Sequence, residues 1–140
     1  MKRACVDTNV VLRFLTGDPP EMAAQARVLF AGVERGELAL MIDEIVMAEA
    51  VWVLHSFYHY ASADIARVGQ ELLSHPGIEA NDKPGLLVAL YVFAQENIDF
   101  ADALLAVHMQ RRGVADIFSS DSHFDRLPGV IRRAPGQPAA

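Results

Sequence analysis

Short apolar runs alternate with stretches of helical periodicity along almost the whole chain, and that alternation leaves few folds open. Ala4-Cys5-Val6 and Leu38 to Ile42 are apolar and too short for helices, and both read as buried strands. Ile78-Glu79-Ala80, Asp116 to Ser120 and Val130 to Arg133 read as further strands, the last at an edge. Helical patterns fill the intervals: Thr8 to Leu15, Pro19 to Arg35, Glu44 to Tyr58, Ser62 to Ser74, Asp82 to Asn97 and Asp99 to Gly113. Start signals agree with these bounds. Asp18 is expected to cap the second helix, with proline in its first turn and Glu21 three residues after the cap; Asp43, Ser62, Asp82 and Asp99 are expected to cap later ones. Gly17, Gly36 and Gly113 are the stops. Strands that alternate with helices predict an α/β domain with a mainly parallel central sheet flanked by helices. In such domains the ligand site lies at the carboxyl ends of the strands.

No repeat, linker or second domain interrupts the pattern, so one domain over residues 1–133 is expected, followed by a small, proline-rich and flexible tail over 134–140. With 52% hydrophobic residues the chain can bury a core, which excludes global disorder. No apolar run is long enough to cross a bilayer, and Asp7 and Asn9 interrupt the apolar stretch that a signal peptide needs. A soluble cytoplasmic protein with no membrane partner is therefore expected. The single Cys5 allows no internal disulfide and no zinc cluster, and reads as a core thiol. The net charge of -6 argues against gripping nucleic acid by charge alone. It fits carboxylates gathered around a cation, which would reverse the local field.

Four carboxylates stand in apolar surroundings. Asp7 and Asp121 each follow a predicted strand. Glu49 lies in a helix where Ile45, Val46, Trp52 and Val53 are its neighbours at helical spacing, and Asp102 precedes Leu105, Ala106 and Met109. Each has an ordinary explanation taken singly: a turn, a helix cap, a solvated edge. Together their simplest common cause is a shared cation, because four like charges cannot otherwise converge without protonation. Oxygen ligands without cysteine suit Mg²⁺ or Mn²⁺ better than zinc. His55 and His59 are four apart but lack the HExxH pattern, and read as surface or interface residues. No glycine-rich phosphate loop and no GxSxG elbow appears. Trp52 and Tyr58 are expected in a packed helix face rather than as a base-stacking platform.

These segments resemble the PIN-domain family and, within it, the VapC toxins of bacterial toxin–antitoxin pairs. VDTNVVLRFL at 6–15 is similar to the first motif, with Asp7 and Asn9; MIDEIVMAEAVWVL at 41–54 to the second, with Glu49. DFADALLA at 99–106 matches the third, with Asp102; FSSDSHFDRLPGV at 118–130 matches the fourth, with Asp121 as its acid and Asp125 following. Family members often carry Thr-Phe-Asp where Ser119-Ser120-Asp121 stands, so Ser119 keeps the hydroxyl and Ser120 replaces a bulky apolar residue. The resemblance implies a Rossmann-like three-layer PIN fold, an endoribonuclease dependent on Mg²⁺ or Mn²⁺, and a homodimer silenced by a small VapB-like antitoxin. It makes Asp7 and Asp102 direct metal ligands, with Glu49 and Asp121 completing the site. Asn9 and Ser119 would orient ligands or waters, and Arg13 would contact RNA phosphate or the antitoxin. Trp52, Phe57 and Tyr58 could line an antitoxin groove or the dimer interface. The competing readings are a catalytically silent PIN-like nucleic-acid-binding protein and, less favoured, a phosphotransferase with Asp7 as nucleophile.

Overall fold

Every predicted strand and helix forms, and the side chains at the junctions explain why. A computed structural model describes residues 2–136; Met1 and 137–140, the end of the expected tail, lie outside the described residues. In chain order the elements are β1 (Lys2–Cys5), α1 (Thr8–Thr16), α2 (Pro20–Glu34), β2 (Leu38–Met41), α3 (Glu44–Ser56) and α4 (Ser62–Ser74). There follow β3 (Ile78–Glu79), α5 (Lys83–Glu96), α6 (Phe100–Arg112), β4 (Asp116–Phe118), a 3-10 turn (Ser122–Arg126) and β5 (Ile131–Arg133). Asp7 caps α1 by accepting Val10 N–H at 3.1 Å, Asp43 caps α3 from Ile45 N–H at 2.9 Å, and Asp82 caps α5 from Gly85 N–H at 2.9 Å. Gly17 and Gly113 end α1 and α6 in the left-handed region, at φ 72° and 70°.

Three expected caps are different. Pro19, not Asp18, occupies the cap position of α2, and the Asp18 carboxylate instead accepts the Tyr58 hydroxyl at 2.9 Å. Two consecutive prolines remove N–H donors that an Asp18 cap would have used. Ala61 takes the cap position of α4, so Ser62 is already helical. Asp99 stands at the cap of α6 but its side chain makes no cap hydrogen bond.

All strand pairings are parallel, as the alternation requires. β1 pairs with β2 from Lys2↔Leu38 to Cys5↔Met41, and β2 pairs with β3 at Leu40↔Ile78 and Met41↔Glu79. β4 and β5 form a second parallel pair, from Asp116↔Ile131 to Phe118↔Arg133. The expected central sheet is thus in two parts among the described residues, with strand order β1-β2-β3 and β4-β5. This corrects the reading of Cys5 as a core thiol. β1 has a ladder on one side only, and Cys5 is exposed, as are Lys2 and Arg3. Charge on an open edge discourages further strand pairing.

Helices cover the strands. α2 packs on β2, α4 on β3, α5 lies between α4 and α6, and α1 meets α2 and α3. The core centres on Val11, Leu40, Ile42, Leu54, Ile65, Leu73, Ile78, Leu86 and Leu90, all essentially without solvent contact. No buried residue among those described is polar or charged, so the core is held by apolar burial alone. No helix among the described residues is long and apolar enough to cross a membrane.

The α4–α5 contact is tight enough to test. A Cβ on Gly69 would stand 2.8 Å from Leu90 Cδ1, and Leu90 is fully buried. Alanine in a helix interior would ordinarily gain about 1 kcal/mol over glycine. Overpacking typically costs roughly 1–3 kcal/mol and should outweigh that gain here. Gly69→Ala should therefore lower the urea midpoint, and Leu90→Val should rescue part of the loss in the double variant. A higher midpoint for Gly69→Ala alone would show that Leu90 has room to move.

Candidate metal and nuclease site

Asp7 leaves the carboxyl end of β1 and is fixed by the cap it makes for α1. Glu49 lies in the second turn of α3, which follows β2, the neighbour of β1. The two carboxylates line one open cavity of about 400 Å³, together with Thr8, Asn9, Leu12, Trp52 and Val53. Thr8 donates its hydroxyl to Glu49 Oε1, a hydrogen bond that ties α1 to α3. Asn9 is exposed at the rim of this cavity.

The apolar neighbours of Glu49 at helical spacing suggest a core-facing stripe, and the structure corrects this. α3 buries Met47, Ala50, Val51 and Leu54, whereas Glu49 is exposed along with Ile45 at 76% and Trp52 at 66%. The helix is apolar nearly all round, so periodicity could not say which side turns inward. Trp52 likewise leaves the packed face predicted for it, while Tyr58 is half-buried against the core.

The second pair belongs to α6 and the turn after β4. Asp102 is half-buried in the first turn of α6. Burial first, then the negative charges of Asp99 and Asp121, hold its carboxyl above the ordinary aspartate range, and His123 partly offsets them. Asp121 Oδ1 accepts the backbone N–H of His123 at 2.9 Å and stands 3.0 Å from His123 Nδ1. Ser119 Oγ accepts the Asp121 N–H at 2.9 Å, so the hydroxyl kept in the fourth motif shapes the turn that aims Asp121. Arg126 donates to the carbonyls of Glu96 and Asn97 at 3.0 and 3.2 Å, anchoring this turn to the end of α5 just before α6.

The sequence-predicted acids therefore stand as two pairs, Asp7 with Glu49 and Asp102 with Asp121. Among the described residues no group of three or more His, Cys, Asp or Glu side chains is arranged to hold a metal ion. The donor chemistry nonetheless suits a hard divalent cation: every candidate ligand is a carboxylate, and Asp102, raised by burial and then by Asp99 and Asp121, is a group whose charge a cation would favour. Asp99 belongs to this electrostatic neighbourhood, whereas Asp125 is engaged bidentately by Arg132 at 3.0 and 3.1 Å. Arg13 sits in the last turn of α1, half-buried, with no ion pair to its side chain among the described residues. Sequence reasoning missed Thr8 and His123 as partners of the acids. Thr8 is 41 residues from Glu49, and no local pattern reports such a contact. His123 was within reach, since it lies two residues after an Asp that starts a turn.

The PIN domain family profile matches residues 4–130. The VapC ribonuclease of Aquifex aeolicus (strain VF5) is 25% identical over 122 residues, spanning 87% of this chain and 90% of that protein.

The state of Asp102 gives a stability test that needs no activity. A carboxyl whose folded pKa exceeds its unfolded value costs stability when ionised. The cost is fully present above the folded pKa and disappears as pH falls below the unfolded value near 3.9. In EDTA, Asp102→Asn should melt a few degrees above wild type at neutral pH, with the gap closing as pH falls toward about 4. Addition of Mg²⁺ or Mn²⁺ should raise the melting temperature of wild type more than that of the variant. A variant that melts below wild type at pH 7 would mean that the carboxylate is a stabilising partner instead.

Proposed function

We propose that this chain, which belongs to the PIN-domain family, is an endoribonuclease that works with Mg²⁺ or Mn²⁺ and acts as the toxin of a VapBC-type pair. One observation carries the reading: Asp7 and Glu49, which follow the neighbouring parallel strands β1 and β2, line one open cavity together with Thr8 and Asn9. The similarity to a protein named VapC ribonuclease supports the same chemistry.

Asp7 and Asp102 would hold the cation, with Glu49 and Asp121 completing its ligands directly or through water. When bound, that cation supplies Lewis acidity, making water a nucleophile near neutral pH and offsetting charge on the phosphate. The chain's own residues do the positioning. Thr8 fixes one Glu49 oxygen, and Ser119 and the His123 backbone fix Asp121. Asn9 would orient a ligand or water at the rim, as neighbours of metal ligands do. Arg13, in the last turn of α1, would meet an RNA phosphate or a partner's carboxylate.

Other exposed apolar side chains are Phe57 after α3, and Val88 and Tyr91 on α5. They would take a second copy or the apolar face of a VapB-like antitoxin helix. A basic antitoxin side chain placed among the carboxylates would compete with the cation and silence the site.

Purified protein should cleave single-stranded RNA in Mg²⁺ or Mn²⁺ and stop in EDTA. Asp7→Asn keeps a cap acceptor for α1 and removes the charge. Cleavage should fall by more than the roughly 10–100-fold expected of supporting residues such as Ser119 in a Ser119→Ala variant. Equal rates for Asp7→Asn and wild type would refute the ligand assignment. In a bacterial host, expression of wild type should arrest growth, and Asp7→Asn should not. A co-expressed antitoxin from the neighbouring gene should restore growth; unimpaired growth with abundant soluble wild type would remove the toxin role.

A further inference from the structure

Trp52 is the most exposed aromatic side chain beside the carboxylates. It lies three residues after Glu49 on α3, on the same side of the helix, and lines the cavity that holds Asp7, Thr8, Asn9 and Glu49. Two-thirds of it meets solvent, although the same helix buries four other apolar residues. Ile45, seven residues earlier on α3, is exposed as well, so the two form an apolar strip on the side of the helix that carries Glu49. The chain also carries a net charge of -6, so attraction to phosphates supplies little affinity for an RNA backbone. Base stacking is independent of net charge, because every nucleobase has a π face.

We propose that Trp52 is a substrate-binding platform on which a nucleobase beside the bond under attack stacks. The inference rests on the nuclease reading and deepens it: the carboxylates act on a phosphate, and the indole one helical turn away takes the adjacent base. Such a platform accepts any base, and so favours unpaired RNA, whose bases can splay onto it, over a duplex.

Trp52 is the only tryptophan, so emission excited at wavelengths beyond tyrosine absorption reports on this side chain alone. The experiment titrates full-length Asp7→Asn, in Mg²⁺, with an oligoadenylate of roughly ten nucleotides and with its abasic ribose-phosphate counterpart. The oligoadenylate should quench emission saturably and the abasic chain should not. Trp52→Ala should weaken oligoadenylate binding, read by anisotropy of labelled RNA, by roughly ten- to a hundredfold, and Trp52→Phe should recover part of it. In the otherwise wild-type enzyme Trp52→Ala should raise KM more than it lowers kcat, while Val28→Ser, at an exposed apolar position on α2, should leave both unchanged. Saturable RNA binding with unchanged emission and equal affinity in Trp52→Ala would overturn the platform and leave the nuclease reading standing. So would sedimentation showing a dimer that Trp52→Ala dissolves, because a second copy would then cover the indole. Failure of wild type to bind or cut RNA at all would remove the nuclease reading, and this proposal with it.

Discussion

A carboxylate that accepts a backbone N–H of the turn it begins is the interaction on which this structure turns. Asp7, Asp43, Asp82 and Asp121 all do so. Unpaired N–H groups at a helix start need acceptors, so each carboxylate satisfies one of them while it fixes the direction of the next element. At Asp43 and Asp82 the result is architectural. At Asp7 and Asp121 the same bond aims a site carboxylate, and the geometry of the site is inseparable from the start of α1 and of the 3-10 turn.

The two carboxylate pairs are then held in relation by a few polar bonds between elements far apart in sequence. Glu44 and His108 meet at 2.8 Å and join the start of α3, which carries Glu49, to the middle of α6, which carries Asp102. Arg111 pairs with Asp82 at 3.0 Å and binds α6 to the start of α5, and the Arg126 contacts bring the Asp121 turn to the entry of α6. Partly exposed pairs of this kind contribute on the order of 1 kcal/mol or less each. Their role is register, since the stability resides in a core without a buried polar residue among those described.

Around the site, local stability yields to chemistry. Asp102 is kept in a half-buried place beside two other acids, where its charge is disfavoured. Trp52 stands in solvent while its helix buries smaller residues. Neither arrangement helps the isolated chain fold. Both fit the proposed nuclease, in which a cation and an RNA strand would meet the protein, and the well-packed helices α4 and α5 supply stability elsewhere.

The sequence by itself determined the alternation of elements, their bounds to within a few residues and the parallel direction of the strands, and it singled out the four acids that the proposed function uses. These are local or periodic properties: short apolar runs, helix caps, glycine stops, and charges where apolar residues belong. Only the tertiary structure decided which side of α3 faces inward, since a helix apolar all round carries no moment to point it, and so Glu49 and Trp52 came out exposed. It also decided that β1 keeps an open edge, which exposes Cys5, and that the acids stand in two pairs. The partners of those acids were decided there as well. Thr8 meets Glu49 across 41 residues, and Asp102 acquires Asp121 as a neighbour only when α6 and the last turn pack together. Spacing along a chain records what lies within a turn or two; contacts across the fold exist only once apolar burial has closed it.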